Sequence, residues 1–130
     1  MNRVVNILKN AKVFYFSTID GDQPQVRPYN VVMEYNDKTY FYTNNHTHAY
    51  KQMMQNPKIE LCASIDEDRW LRVNGKVVFD YDENVKKQML EENPELKKKY
   101  SADDKIFEVF YLSNMSAKIH STHSQPEVIC

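Results

Sequence analysis

Between Tyr42 and Lys51 the chain reads Tyr-Thr-Asn-Asn-His-Thr-His-Ala-Tyr-Lys: a strand end, four polar residues and a helix start. A helix N-terminus carries unpaired N–H groups and a partial positive charge, so it favours anions. Thr43 and Thr47 add hydroxyl donors, and Lys51 stands one turn further on, within reach of the same point. An ordinary strand-to-helix loop with a surface lysine would carry the same residues, so Arg27 matters. It shares a strand face with Tyr29, and a hairpin over residues 23–43 would set that strand beside Tyr42 and Thr43. An arginine, a threonine and a lysine would then converge on one anion. Side chains must hold it, because the chain has only two glycines, Gly21 and Gly75. Glycine-rich phosphate loops and dinucleotide fingerprints need several close together and are excluded.

A second stretch, Arg69 to Lys76, places Trp70 and Arg72 on the polar face of a strand. A tryptophan beside a guanidinium suits an interface or a planar ligand, although a partly covered surface tryptophan looks the same. His46 with His48, and His120 with His123, find no third ligand at a metal-binding spacing, so no metal is expected. Cys62 sits mid-strand with no placed base and is expected to be inert packing. Lysines 97–99 belong with Glu91, Glu92 and Glu95 on a solvated helix.

The elements that would position these residues follow from periodicity and turn chemistry. A short helix is expected over residues 2–10, with Val4, Val5 and Leu8 as its apolar stripe. Val13–Ile19 is a strand ending at the hairpin signal Asp20-Gly21. Gln23–Tyr35 resumes as one strand, irregular or at an edge because of Pro24 and Pro28, and Asn36-Asp37-Lys38 turns into Thr39–Thr43. Thr47 caps a helix over 48–55 that Asn56-Pro57 stops. Residues 58–65 and 69–80 alternate as strands. A charged helix runs from Asp82 to about Glu92, and Asn93-Pro94 starts a further helical turn. Lys105–Leu112 and Met115–His120 are read as two strands joined near Ser113-Asn114, with a loose tail after Ser121.

Six or seven antiparallel strands with short connecting helices make a mainly β domain, closed or nearly closed as a barrel. The strand Ile106–Leu112 is apolar on both faces and needs two covers: the core, and either a helix or a second subunit. Seventeen basic against eighteen acidic residues give a charge of -1, leaving no footprint for nucleic acid. No stretch is long enough for a bilayer span, residues 1–12 hold no signal-peptide core, and two cysteines make no disulfide framework. A single domain over residues 1–130 is expected, soluble and cytoplasmic, without nucleic-acid or membrane partners.

Four stretches in register carry a resemblance: Ser17 to Pro28 (Ser-Thr-Ile-Asp-Gly-Asp-Gln-Pro-Gln-Val-Arg-Pro), Phe41-Tyr42-Thr43-Asn44, Lys51 with Asn56-Pro57, and Trp70 to Phe79. Together, from about residue 10 to 120, they resemble the pyridoxamine 5′-phosphate oxidase-like flavoproteins, and within them the small nitroimidazole-resistance nitroreductases. The resemblance implies a split β-barrel homodimer with two FMN molecules at the subunit interface and a small-molecule substrate. It implies that Arg27, Pro28, Tyr29 and Asn30 lie along the isoalloxazine and ribityl chain, and that Tyr42 and Thr43 contact the flavin. Asn45 and His48 would stand near the cofactor, His48 by its phosphate, and Lys51 would pair with that phosphate. Trp70 and Arg72 would approach from the partner subunit. The oxidases' Arg-Lys pair reads Tyr50-Lys51 here, and their C-terminal substrate region is missing from a chain ending at Cys130. Nitroreduction is therefore expected over pyridoxamine phosphate oxidation, since the flavin carries the chemistry. A non-catalytic flavin binder or redox sensor, or a barrel for deazaflavin or heme, are the alternatives.

Overall fold

The computed structural model describes residues 2–130. Helix α1 (Arg3–Ala11) starts where the Asn2 side chain accepts the Val5 N–H, and it buries Val4, Val5 and Leu8. Strands β1 (Phe14–Asp20) and β2 (Gln23–Tyr29) form a hairpin around Gly21, whose φ of +64° suits a residue without Cβ. Both prolines of β2 are tolerated because β2 is a sheet edge. The single strand expected over 23–35 is broken: residues 30–32 leave the ladder, and β3 (Met33–Tyr35) pairs only with β4 (Lys38–Asn44). The two residues between them, Asn36 and Asp37, both have positive φ, as a tight hairpin turn requires.

Helix α2 (His48–Gln55) is capped by Thr47, which accepts the Tyr50 N–H, and stops at Asn56. Strands β5 (Lys58–Ser64) and β6 (Arg69–Asp80) follow, then α3 (Glu83–Glu92), capped by Asp82, and a 3₁₀ turn at Pro94–Lys98. Asn93 does not cap that turn with its side chain. Its Nδ2 donates to Met89 O at 2.9 Å and closes α3 instead. The two strands expected after Lys105 are one, β7 (Phe107–Ser121). It bends where they were divided: Asn114 has φ 51°, and the register with β6 slips between Asn74 and Lys76. Gly75 sits at that slip, where a Cβ would lie 3.1 Å from Ser113 O, so any other residue would have to push that backbone back by a few tenths of an ångström. The tail expected to be loose returns as β8 (Glu127–Val128) beside β7, and Glu127 accepts from Arg3 at 2.8 Å.

The sheet has eight strands where six or seven were expected, in the order β2-β1-β5-β6-β7-β4-β3 with β8 on β7. β2 and β3 are consecutive in the chain yet stand at opposite ends of that path, joined by three residues. The sheet must therefore curl until its edges approach, with no ladder between them. That seam is the split of the barrel.

Two apolar clusters fill the protein. Phe14, Phe16, Phe41 and Phe110 centre the one inside the barrel. In the other, Val85, Met89, Leu90 and Leu96 from α3 and the 3₁₀ turn cover Val31, Met33, Tyr40, Phe107 and Val109. The two-faced strand is thus covered on its second side by a helix of its own chain, and it requires no second subunit. Among the described residues no helix is long and apolar enough to cross a membrane.

Candidate ligand site at the split of the barrel

A pocket of about 230 Å³ opens at the seam. One wall is the end of β2 and the crossing segment, Pro28 to Val31. The facing wall is the end of β4, Tyr42 to Asn44, with Thr47 at the start of α2, and Tyr100 closes it from beyond the 3₁₀ turn. The walls are largely aromatic and firmly placed. Tyr29 stacks on Phe16 at 4.8 Å, and Tyr42 packs edge-on to Tyr100 at 6.1 Å and tilted against Phe107 at 5.6 Å. Tyr100 Oη accepts from Asn44 Nδ2 at 2.9 Å, which ties the far wall to the strand.

The polar groups are unevenly satisfied. The Thr43 and Thr47 hydroxyls are 3.0 Å apart, and Thr47 donates to Asn44 O at 3.1 Å. Tyr29 Oη is buried without a hydrogen-bond partner. Burial raises its pKa, opposed by the Arg27 charge and by the nearby Thr43 hydroxyl. Burial also raises the Tyr42 pKa, with Tyr100 and Glu95 adding to it, so both phenols are neutral at ordinary pH.

Arg27 precedes the wall by one residue. Its Nη1 donates to Thr18 Oγ1 at 2.7 Å and to Phe16 O at 3.3 Å, and its Nη2 donates to Gln52 Oε1 at 3.1 Å. Thr18 donates to the same Gln52 oxygen. Every one of these partners is neutral, and among the described residues no carboxylate pairs with Arg27. A half-buried guanidinium without a counter-charge still has charge to offer an anion.

The fold therefore gathers Arg27, Pro28, Tyr29, Asn30, Tyr42 and Thr43 around one seam, although not by the hairpin expected. β2 pairs with β1, and it meets β4 only across the split. Lys51 is exposed on α2, one turn beyond Thr47 and outside the pocket wall. His48 is exposed at the first position of α2. Asn45 is engaged elsewhere, its Nδ2 donating to Lys105 O at 2.8 Å and Glu108 Oε2 at 3.1 Å. Trp70 and Arg72 lie on the outer face of the sheet, away from this pocket. There Trp70 stacks on His120 at 5.6 Å, and Arg72 pairs with Glu60 at 2.8 Å. Cys62 shares that face and is exposed, contrary to its expected burial.

Sequence reasoning missed Val31, Gln52, Asn44 and above all Tyr100. Gln52 had a faint signal, a polar residue beside Met53 on the side of α2 turned to the sheet. Tyr100 had none, because it reaches the seam from a turn that lies 58 residues from Tyr42 in the chain.

Residues 2–122 match the family model described as pyridoxamine 5′-phosphate oxidase, and the chain belongs to that family. The chain is similar to a NimC/NimA family protein from Clostridium acetobutylicum, at 41% identity and TM-score 0.91 over 98% of this chain and 89% of that one. The fold alone is shared with a pyridoxamine 5′-phosphate oxidase-related, FMN-binding protein from Nostoc punctiforme (11% identity, TM-score 0.60, covering 97% and 92%). It is shared likewise with the heme storage protein HutZ from Vibrio cholerae (14% identity, TM-score 0.67, covering 98% and 95%). No curated protein matches the sequence significantly.

The residues at the seam fit FMN. Arg27 and Lys51 offer charge for a phosphate, the tyrosine walls offer flat apolar surface for a ring system, and Tyr29 offers a donor with no partner of its own.

Proposed function

We propose that this protein binds FMN at the split of its barrel and works as an oxidoreductase that reduces a small electrophile such as a nitro compound. Arg27 carries the reading: a guanidinium with only neutral partners, beside an aromatic-walled pocket. Uncompensated charge there suits a phosphate, and Lys51 adds a second cation from the solvent side. The 41% identity to a NimC/NimA family protein supports the nitro substrate. When bound, FMN supplies the hydride transfer; this chain holds its phosphate, walls its ring and excludes water on one side. Reducing a nitro to a nitroso group takes two electrons and two protons and releases water, with a reduced nicotinamide as the donor class.

The pocket is smaller than the ~300–1,000 Å³ that encloses a drug-sized molecule. A second copy would complete it, and the outer sheet face offers the surface: Tyr15 and Val26 are 51% and 66% exposed on the same face as Trp70 and Arg72. In such a homodimer Trp70 and Arg72 of one copy would face the flavin of the other. Two exposed, unpaired cysteines suit the reducing cytoplasm.

The test is titration of apo-protein with FMN and with riboflavin. Lys51→Glu sets a negative charge near a dianion and removes a charged hydrogen bond worth about 1.5–3 kcal/mol. FMN affinity should fall at least about tenfold, and riboflavin, lacking the phosphate, far less. Equal losses would mean damage to the fold, and unchanged FMN binding would put the phosphate elsewhere.

A further inference from the structure

The hydrogen-bond inventory of the pocket is lopsided. The Thr43 and Thr47 hydroxyls spend their protons on each other and on Asn44 O. Tyr100 Oη accepts from Asn44 Nδ2, which leaves its own O–H free to donate elsewhere. Tyr29 lines the same pocket, and its Oη is shielded from water and unpartnered. Two phenol-bearing residues on facing walls thus hold unspent donors, and both line one cavity of about 230 Å³. A buried donor without an acceptor is destabilising and calls for a partner outside the chain. The rings themselves are fixed by Phe16 and Phe107, so the donors are held in place before any ligand arrives.

We infer that Tyr29 and Tyr100 are specificity-determining residues whose hydroxyls donate to the acceptor edge, carbonyl oxygens and ring nitrogens, of the planar ring system seated between them. This rests on the flavin reading above and deepens it: Arg27 and Lys51 select the phosphate end, and the two phenols select the ring. The ring end belongs here because the flat aromatic walls lie at the tyrosines, while the Arg27 guanidinium is directed to Phe16 O, Thr18 and Gln52, which do not line the pocket.

Removing either hydroxyl costs the ligand one neutral hydrogen bond, about a threefold to tenfold loss of affinity. Apo-protein carrying Tyr29→Phe or Tyr100→Phe is titrated with FMN and with lumiflavin, which keeps the ring and lacks both ribityl chain and phosphate. Each variant should weaken both probes by the same factor. Tyr29→Phe should also leave the apo-protein's Tm unchanged or raised, because it deletes an unsatisfied group; Tyr100→Phe should lower it slightly, because Asn44 loses an acceptor. Loss of FMN affinity with lumiflavin untouched would place the phenols on the ribityl chain and overturn the inference. So would unchanged binding of both probes, or a lowered Tm in Tyr29→Phe, which would mean that Thr43 already satisfies the hydroxyl. If both probes bind and only the phenol variants are silent, the flavin reading stands alone; if the wild type binds neither, both readings fall.

Discussion

Inside the barrel, Phe14, Phe16, Phe41 and Phe110 meet at 5.6–5.8 Å among aliphatic neighbours. Across β7, the cluster under α3 mixes Met89, Leu90 and Val109 with Tyr40, Tyr42, Tyr100 and Tyr111, and beside it Lys86 and Glu108 are buried together, 3.6 Å apart. The first cluster gains from burial alone and can be filled with whatever packs. The second must satisfy every polar atom it takes from water. Tyr40 does so by donating to Asp80 at 2.6 Å, and burial and that carboxylate hold its pKa far up. Glu108 does so through Lys86 and Asn45. What this teaches is that the Tyr42 and Tyr100 wall of the pocket borrows its rigidity from a polar-laced core, whereas Tyr29 leans on the mainly apolar core that supplies stability.

The largest expected effect breaks the first region. Phe41→Ala should cost about 3–5 kcal/mol, read from urea unfolding, while the folded fraction binds ligand as before, because Phe41 does not line the pocket. A loss below about 1 kcal/mol would show that the barrel collapses around the cavity.

In the second region Lys86→Met strands the Glu108 carboxylate and should cost about 3 kcal/mol, at the low end for a broken buried pair because the 3.6 Å contact is long. Replacing both, Lys86→Met with Glu108→Leu, should restore most of that. If the double variant is as unstable as the single, the pair contributes by shape rather than charge, and the contrast between the clusters narrows.

Asp104 sharpens the comparison with pH. Burial pushes its pKa up, but the N–H groups of Phe107, Ile106 and Ser101 and the Lys86 charge outweigh it, so the folded value sits below the ordinary one. Its contribution is therefore present above about pH 4, the unfolded value, and is lost as pH falls through the lower folded value. Asp104→Ala should cost about 1 kcal/mol at pH 7, and the gap in Tm between variant and wild type should shrink as the solution is taken toward pH 3. A gap constant with pH would assign the loss to packing.

Local chemistry carried far in this sequence. Thr47 and Asn56-Pro57 bound α2 at both ends, Gly21 turns the first hairpin, and the alternation in 58–64 and 69–80 faces Leu61, Val73 and Val77 inward. These depend on neighbours within a few residues, and periodicity reports them. Part of the pocket was legible for the same reason, since Tyr42-Thr43 ends a strand just before the Thr47-capped helix, whereas Pro28 and Asn30 came only from the family resemblance.

The break at residues 30–32 was not legible, because nothing local forbids a continuous strand there. It exists because the curled sheet runs out of a partner for β2. Continuity of β7 through Asn114 was hidden in the same way: its bend is permitted by Gly75, on another strand. Alternation alone had set Trp70 and Arg72 on the polar face, but only the tertiary structure could supply Tyr100 to the seam and engage Asn45 with Glu108 and Lys105. Each of those depends on contacts between segments far apart in the chain, which the residue types alone do not encode until the sheet closes. Residue chemistry and spacing by themselves determined that an arginine strand and a threonine-capped helix could hold an anion; the curl of the sheet decided which aromatic walls stand beside it.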